Sequence, residues 1–249
     1  MKSNLHKAAS KIILIFISAL LLACVTYGIV YYLYYHYNEE LTVRLTGDVI
    51  VVNDLISTMY LVKTDKGYIA IDTGFDKAIV TRGLEYNRIK PEEVNAILIT
   101  HSDKDHQNVG DLFSKADVYF PKKENEMIEQ GIPRFRFLPF IKNSNYFKKY
   151  SLVSDNDSFI IDNRKIKCIS LTGHTLGSMG YIIDEKYLFI GDAFRIKDGK
   201  IALPNRKFLA MDIGQMKKSI ERVAKLKGIK YIFSAHSGFT ADFAFAVSN

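Results

Sequence analysis

The apolar run Ala96-Ile97-Leu98-Ile99-Thr100 leads straight into His101-Ser102-Asp103-Lys104-Asp105-His106. Two imidazoles and two carboxylates in six residues are an unfavourable concentration for an ordinary loop. Unpaired carboxylates at that range repel one another, and a bound cation removes the repulsion. Three further candidates follow singly, each after a strand-like run: His174 between Gly173 and Gly177, Asp192 behind Gly191, and His236 with Gly238 beyond it. Small residues at such places let the backbone turn sharply and let a substrate approach. Of the six histidines, His6 and His36 flank an apolar N-terminal run, and the other four all fall in this one candidate set. A lone histidine after a strand is usually a surface or hydrogen-bonded residue. The conjunction carries the reading: a metal site assembled from several strand ends.

Elements that could bring these positions together are legible in the chain from residue 41 onward. Apolar, β-branched or aromatic content predicts strands over 43–45, 49–53, 58–64, 68–72, 96–100, 118–120, 158–161, 165–171, 180–183, 187–190 and 231–234. Asp65-Lys66-Gly67 and Asp162-Asn163-Arg164 read as turns between paired strands. Helical periodicity is found over 77–86, 109–115, 122–130 and 214–227; in the last, Met216, Ile220, Val223 and Leu226 share a face and Gly228 ends the helix. Residues 101–106 are expected to be an irregular loop. Strand pairs interleaved with helices predict one α/β domain over 41–249, with helices packed on sheet faces.

The order of these motifs resembles the metallo-β-lactamase superfamily: an His-x-His-x-Asp-His loop, then Gly-His, Gly-Asp and a last His, each after a strand. The resemblance implies a four-layer αββα sandwich with two metals at the sheet edge. It implies His101 and His174 on the first metal, Asp105, His106 and His236 on the second, and Asp192 bridging both. Ile71-Asp72-Thr73-Gly74 resembles the family's first motif, whose aspartate braces the ligand loop. Asp103 stands where the family usually has the second histidine of the loop. It either ligates the metal or accepts a hydrogen bond from a ligand histidine. The swap makes the donor set harder, which favours iron or manganese or a weakly filled first position; two zinc ions are still the expectation, with iron or manganese as alternatives.

The resemblance further implies a hydrolase in which a metal-bound hydroxide, oriented by Asp105, cleaves an ester, thioester, lactone or lactam-type bond. Asp at position 192, where the common zinc β-lactamases carry Cys, resembles the thioesterases, lactonases and phosphodiesterases of the superfamily instead. A phosphodiesterase or nuclease, and a non-catalytic metal-stabilised binding module, are the rival readings.

Composition bounds the rest. The chain has 249 residues, 48% of them apolar and 24% charged, which excludes wholesale disorder. Two cysteines exclude a disulfide-stapled fold, a four-cysteine zinc ribbon and an iron–sulfur cluster, and Cys168 reads as a small buried hydrophobe. Net charge is +7, a mild excess that suits anionic substrates or lipid headgroups; nucleic acid is not expected as a partner.

Residues 12–35 contain no charge. As a helix rising roughly 1.5 Å per residue they would cover about 36 Å, enough to cross a hydrocarbon core of about 30 Å. Lys2, Lys7 and Lys11 precede the run, tyrosines cluster at its far end, and Glu39 and Glu40 follow. The expectation is a cytoplasmic N-terminus (1–11), a single membrane span (12–35) in the lipid bilayer, and an extracytoplasmic domain meeting small-molecule or envelope-derived substrates. The alternatives are a cleaved signal peptide and lipidation at Cys24 within Leu21-Leu22-Ala23-Cys24. The apolar run continues through Val25, Ile29, Val30 and Leu33, which weighs against both. Finally, in 131–150, Arg134, Arg136, Lys142, Lys148 and Lys149 alternate with Phe135, Phe137, Phe140, Tyr146 and Phe147, without an acid. This segment reads as a lid, an interfacial patch, or aromatics packed on the sheet beneath solvated cations.

Overall fold

The structure is a computed structural model and describes residues 2–37, 45, 47–54, 56–135 and 137–248. The chain divides into two compact units, Met1–Glu40 and Leu41–Asn249. In the first, helix α1 (Lys2–Tyr37) contains a stretch, Lys11–Val30, of mean hydropathy 2.6 that is long and apolar enough to cross a membrane.

The second unit is built on two six-stranded sheets. In the first sheet β1 (Val49–Asn53), β2 (Thr58–Lys63) and β3 (Tyr68–Ile71) form an antiparallel meander. β4 (Val94–Leu98), β5 (Asp117–Pro121) and β6 (Ser151–Val153) then add in parallel. In the second, β7 (Ser158–Ile161), β8 (Arg164–Ser170), β9 (Met179–Ile183) and β10 (Tyr187–Phe189) run antiparallel. β13 (Tyr231–Ser234) joins β10 in parallel, and β14 (Gly238–Thr240) closes the edge. A separate hairpin, β11 (Arg195–Lys197) with β12 (Lys200–Ala202), follows Asp192.

Alternation along the strands makes three apolar layers. Val49, Val51, Tyr60, Ile69 and Leu98 face Ile166, Tyr181, Phe189 and Phe233 between the sheets. The opposite faces of the same strands, Ile50, Val52, Leu61 and Ile97, pack with Val80 and Leu84 of α2 (Lys77–Tyr86). Outside the second sheet, Ile182, Leu188 and Ile232 pack with Val223 of α5 (Ile213–Ala224) and Ala246 of α6 (Phe243–Ala246). The result is the expected four-layer αββα sandwich.

Helix starts are fixed chemically. The Asp76 carboxylate accepts the amides of Ala78 and Ile79 at the head of α2, and Asp212 accepts that of Gln215 at the head of α5. The sheets are also pinned to one another near their ends: the Tyr181 hydroxyl donates to Ile99 O at 2.6 Å, the Tyr60 hydroxyl to Ser234 O at 2.7 Å, and the Met179 amide to Thr100 O at 2.9 Å.

Several expectations are corrected. Residues 101–106 are not wholly irregular, since Lys104–Gln107 forms a helical turn, α3. The helix expected over 109–115 is only a 3-10 turn, Gly110–Leu112, because Phe113 bends away into the apolar layer beneath α2. α5 stops at Ala224, three residues before the expected end, and Leu226 packs on the core from outside the helix. The edge strands β6 and β14, the hairpin β11–β12 and α6 carry too few residues for their periodicity to be read. Of the strand expected over 43–45, residues 43 and 44 lie outside the described residues, as does Arg136 of the aromatic–basic segment.

Candidate metal centre

Each candidate side chain sits where a strand ends. His101 follows β4 after Ile99-Thr100, and Asp105 and His106 lie on α3 (Lys104–Gln107), started at Asp103. His174 follows β8, Asp192 follows β10, and His236 forms the turn between β13 and β14. At Gly191 the backbone has φ +52, and a Cβ there would lie 2.6 Å from the Thr100 hydroxyl, so glycine is what lets the strand end close over the loop.

All seven positions converge. The rings of His101 and His106 are 4.0 Å apart between centroids, those of His101 and His174 4.8 Å, and those of His106 and His236 5.6 Å. Asp192 lies at the middle, its carboxylate 3.4 Å from His106 Nε2, 3.4 Å from His174 Nε2 and 3.1 Å from His236 Nε2. Asp105 Oδ2 is 3.5 Å from His106 Nε2 and 3.3 Å from His236 Nε2. Asp103 Oδ2 is 3.4 Å from His101 Nε2 and 3.0 Å from His174 Nε2.

The outer nitrogens of three rings are held by the surrounding chain, and this fixes which nitrogen faces inward. His106 Nδ1 donates to Asp72 Oδ2 at 2.8 Å, and His236 Nδ1 to Ile56 O at 2.5 Å. The Thr100 hydroxyl gives its proton to Asp72 at 2.8 Å, so at 3.0 Å it accepts from His101 Nδ1. With Nδ1 protonated in all three, Nε2 presents its lone pair to the centre. Nε2 of His101 and His106 and Oδ1 of Asp192 are buried without a hydrogen-bond partner.

Electrostatics points the same way. Burial favours neutral His106, but the carboxylates of Asp105, Asp192 and Asp72 outweigh it and raise its affinity for positive charge well above the ordinary value. His236, opposed by burial but drawn by Asp192 and Asp105, is pushed up to about 10. Burial would raise Asp105 and Asp192, yet the neighbouring imidazoles hold both carboxyls far below the usual range. The carboxylates therefore favour positive charge among the rings, whether carried by the imidazoles or by a bound cation, while burial holds His174 below its ordinary value. Three overlapping groups, His101–Asp103–His174, His101–His106–Asp192 and Asp105–His106–His236, could hold a metal ion, their ligating atoms lying within 4.8 Å of one another in each group.

Two residues in the surroundings have roles that the sequence reading missed. Arg134, read there as one of the cations of a lid, an interfacial patch or a solvated face, is buried. Its Nε and Nη2 donate to the two oxygens of Asp103 at 2.6 and 2.8 Å, Nη2 also lies 2.8 Å from His174 Nε2, and Nη1 donates to Leu209 O at 2.9 Å. The available signal was Asp103 itself, an extra carboxylate among histidines that calls for a basic partner. Glu124, on α4 (Lys122–Glu129), is fully buried. Its Oε1 accepts the Ser102 amide and hydroxyl at 3.0 and 2.5 Å, and its Oε2 the Thr175 hydroxyl and Gly177 amide at 2.7 and 3.1 Å. It ties the loop carrying His101 to the loop carrying His174. Nothing in Lys-Lys-Glu-Asn-Glu distinguishes it from a solvated helix residue.

Asp103, Asp105, His174, Asp192 and His236 of the cluster line an open cavity of about 670 Å³, together with Phe135, Leu209, Ile196, Arg195 and Arg206. Beyond it, Lys142, Lys148 and Lys149 are exposed, as are Phe137 and Phe140, whereas Phe147 packs against the layer beneath α2.

Residues 52–117 match the family model of the metallo-β-lactamase superfamily. A hydroxyacylglutathione hydrolase of Blochmanniella pennsylvanica is 31% identical over 157 residues, 62% of this chain and 53% of that protein. A probable metallo-hydrolase of Methanocaldococcus jannaschii is 25% identical over 160 residues, 64% and 65% of the two chains. The chain thus spans between about half and two thirds of the length of these relatives. Among solved structures, a subclass B3 metallo-β-lactamase of Bradyrhizobium japonicum superposes with a TM-score of 0.61 at 17% identity, over 78% of this chain and 76% of that one. A B3 enzyme described as having an active-site glutamic acid gives 0.62 at 18%, over 82% and 83%. The chain has the fold of the metallo-β-lactamase superfamily.

Proposed function

We propose that the chain is a metal-dependent hydrolase, tethered to a membrane by residues 12–35, that cleaves an ester, thioester, lactone or lactam-type bond. The observation that carries the reading is the trio of buried, partnerless acceptors His101 Nε2, His106 Nε2 and Asp192 Oδ1 in a site that favours positive charge. Lone pairs left so are costly unless a cation takes them. His101, Asp103, Asp105, His106, His174, Asp192 and His236 are the residues available to hold it, with zinc the metal that imidazole and carboxylate donors suit and iron or manganese the alternatives. A divalent ion there would act as a Lewis acid and lower the pKa of a water it binds from about 15.7 toward roughly 7.

The chain's own residues supply the rest. Asp72, Thr100 and Ile56 O hold the imidazoles in one tautomer and orientation. Asp105, whose carboxyl stays ionised, lies beside His236 in the lining of the cavity, placed to align an attacking water. Arg195 and Arg206 on the wall favour anionic substrates. Relatives named for hydrolysis of an acylglutathione and structural neighbours named lactamases favour transfer of an acyl group to water over cleavage of a phosphodiester. Lys2, Lys7 and Lys11 ahead of the span, with Glu39 and Glu40 after it, support a cytoplasmic N-terminus, with which the domain would face the outer side of the membrane.

The test is turnover of a panel of thioesters, esters, lactones, β-lactams and a phosphodiester by the full-length protein in detergent. Expected are hydrolysis of at least one acyl substrate, its loss on exhaustive chelation, its return with zinc, iron or manganese, and its absence in His106→Ala. Activity that survives complete chelation, or cleavage of the phosphodiester alone, contradicts the reading.

A further inference from the structure

Within the seven-residue cluster, the candidate ligands fall into two sets that differ in what already touches them. His101 Nε2, His106 Nε2 and Asp192 Oδ1 have no hydrogen-bond partner. Asp103 and His174, by contrast, are engaged by one buried guanidinium. Arg134 Nη2 lies 2.8 Å from Asp103 Oδ2 and 2.8 Å from His174 Nε2, while Nε lies 2.6 Å from Asp103 Oδ1. Asn143 adds a further donor to Asp103 Oδ1 at 2.7 Å.

An imidazole nitrogen has one lone pair in the ring plane. His174 Nε2 lies 2.8 Å from Arg134 Nη2 and 3.0 Å from Asp103 Oδ2, so it either accepts from the guanidinium or donates to the carboxylate, and in both cases its in-plane position is taken and not open to a metal. The same Nη2 lies 2.8 Å from both Asp103 Oδ2 and His174 Nε2, two residues of the His101–Asp103–His174 group, whose ligating atoms lie within 4.8 Å of one another. Zinc needs such donors at about 2.0–2.2 Å. A metal and the guanidinium nitrogen therefore compete for one place. The competition is not one the side chain leaves easily. Arg134 is 1% exposed, its Nη1 is held by Leu209 O, and its carbon lies 4.7 Å from the centre of the Phe135 ring. The planar fork matched to both carboxylate oxygens is the strongest pairing an arginine makes. Asp103 is the cap residue just before α3, yet its carboxylate makes no capping bond there; it is turned to Arg134 instead.

We infer that Arg134 replaces one of the two metal ions: its guanidinium occupies the Asp103–His174 side of the site, and the folded protein holds a single divalent ion on the His101, His106, Asp192, Asp105 and His236 side. This rests on the metallo-hydrolase reading above and narrows it. The substitution of Asp for the loop's second histidine and the burial of an arginine are then one change, an acid recruited to seat a cation that is part of the chain.

The test is metal stoichiometry, which needs no substrate. The full-length protein is saturated with zinc, desalted, and its zinc counted against protein by elemental analysis, beside Arg134→Gln and Arg134→Ala. Expected are one equivalent in the wild type and two in the variants, a two-fold rise. Two equivalents in the wild type overturn the proposal whether or not a variant folds. One equivalent in wild type and folded variants alike also overturns it, because the guanidinium is then not what excludes the second ion. No zinc in any form, and no iron or manganese when these are loaded in its place, removes the metallo-hydrolase reading and this inference with it, so the two failures are distinguishable.

Discussion

His106 donates from Nδ1 to Oδ2 of Asp72 across 2.8 Å, and that carboxylate also accepts the Thr100 amide and hydroxyl at 2.7 and 2.8 Å. Asp72 reaches this position from a backbone with φ 59, in the left-handed region where an aspartate is tolerated. It is a positioning residue: it presents the Nε2 of His106 to the centre and, through Thr100, that of His101. Replacing Asp72 with Asn puts an amide N–H against one of these donors and loosens both rings. The expected loss in metal affinity is about 10–100-fold, read by competition with a chromophoric chelator. Unchanged affinity would remove the orienting role.

Glu124 is the other brace. Four donors from two loops meet its carboxylate, and it is fully buried. An amide can satisfy only one end of that arrangement and sets its own N–H against donors at the other. Glu124→Gln should destabilise the domain by about 2–3 kcal/mol, measured by urea denaturation. A change within error would show that the loops hold their places without it.

Arg164 joins distant turns, reaching Asp184 at 2.7 Å, Asp48 at 3.2 Å and Lys63 O at 2.8 Å. Burial would raise the Asp48 carboxyl, but the Arg164 guanidinium outweighs it and holds the carboxyl below the usual carboxylate range. A carboxyl lowered in the folded state contributes stability that is present above its unfolded pKa and lost as pH falls through the folded one. The stability difference between wild type and Arg164→Met should therefore be greatest at about pH 5 and above, and shrink as pH falls below about 4. Urea melts across that range measure it; a difference that grows in acid would contradict the assignment.

How far the sequence foretold this molecule depended on where each residue's signal came from. Strand 158–161 coincides with β7, 231–234 with β13, and helix 77–86 with α2, because in each the pattern of burial is written in the residues themselves. The positions of the histidines at strand ends were legible for the same reason. Arg134 and Glu124 were not. Each is charged, and each is buried only because partners 22 to 75 residues away in sequence meet it in the fold. Three-residue strands such as β6 and β14 likewise owe their conformation to the neighbouring strand rather than to their own sequence.

The central claim, that side chains from positions 101 to 236 clasp a divalent ion, is tested most directly by anomalous diffraction. Crystals of the zinc-loaded full-length protein would be measured at the zinc absorption edge. The account predicts an anomalous peak bounded by His106, His236, Asp105 and Asp192, absent from crystals of His106→Ala. A map with no peak among those residues, from protein shown to contain zinc, would contradict it.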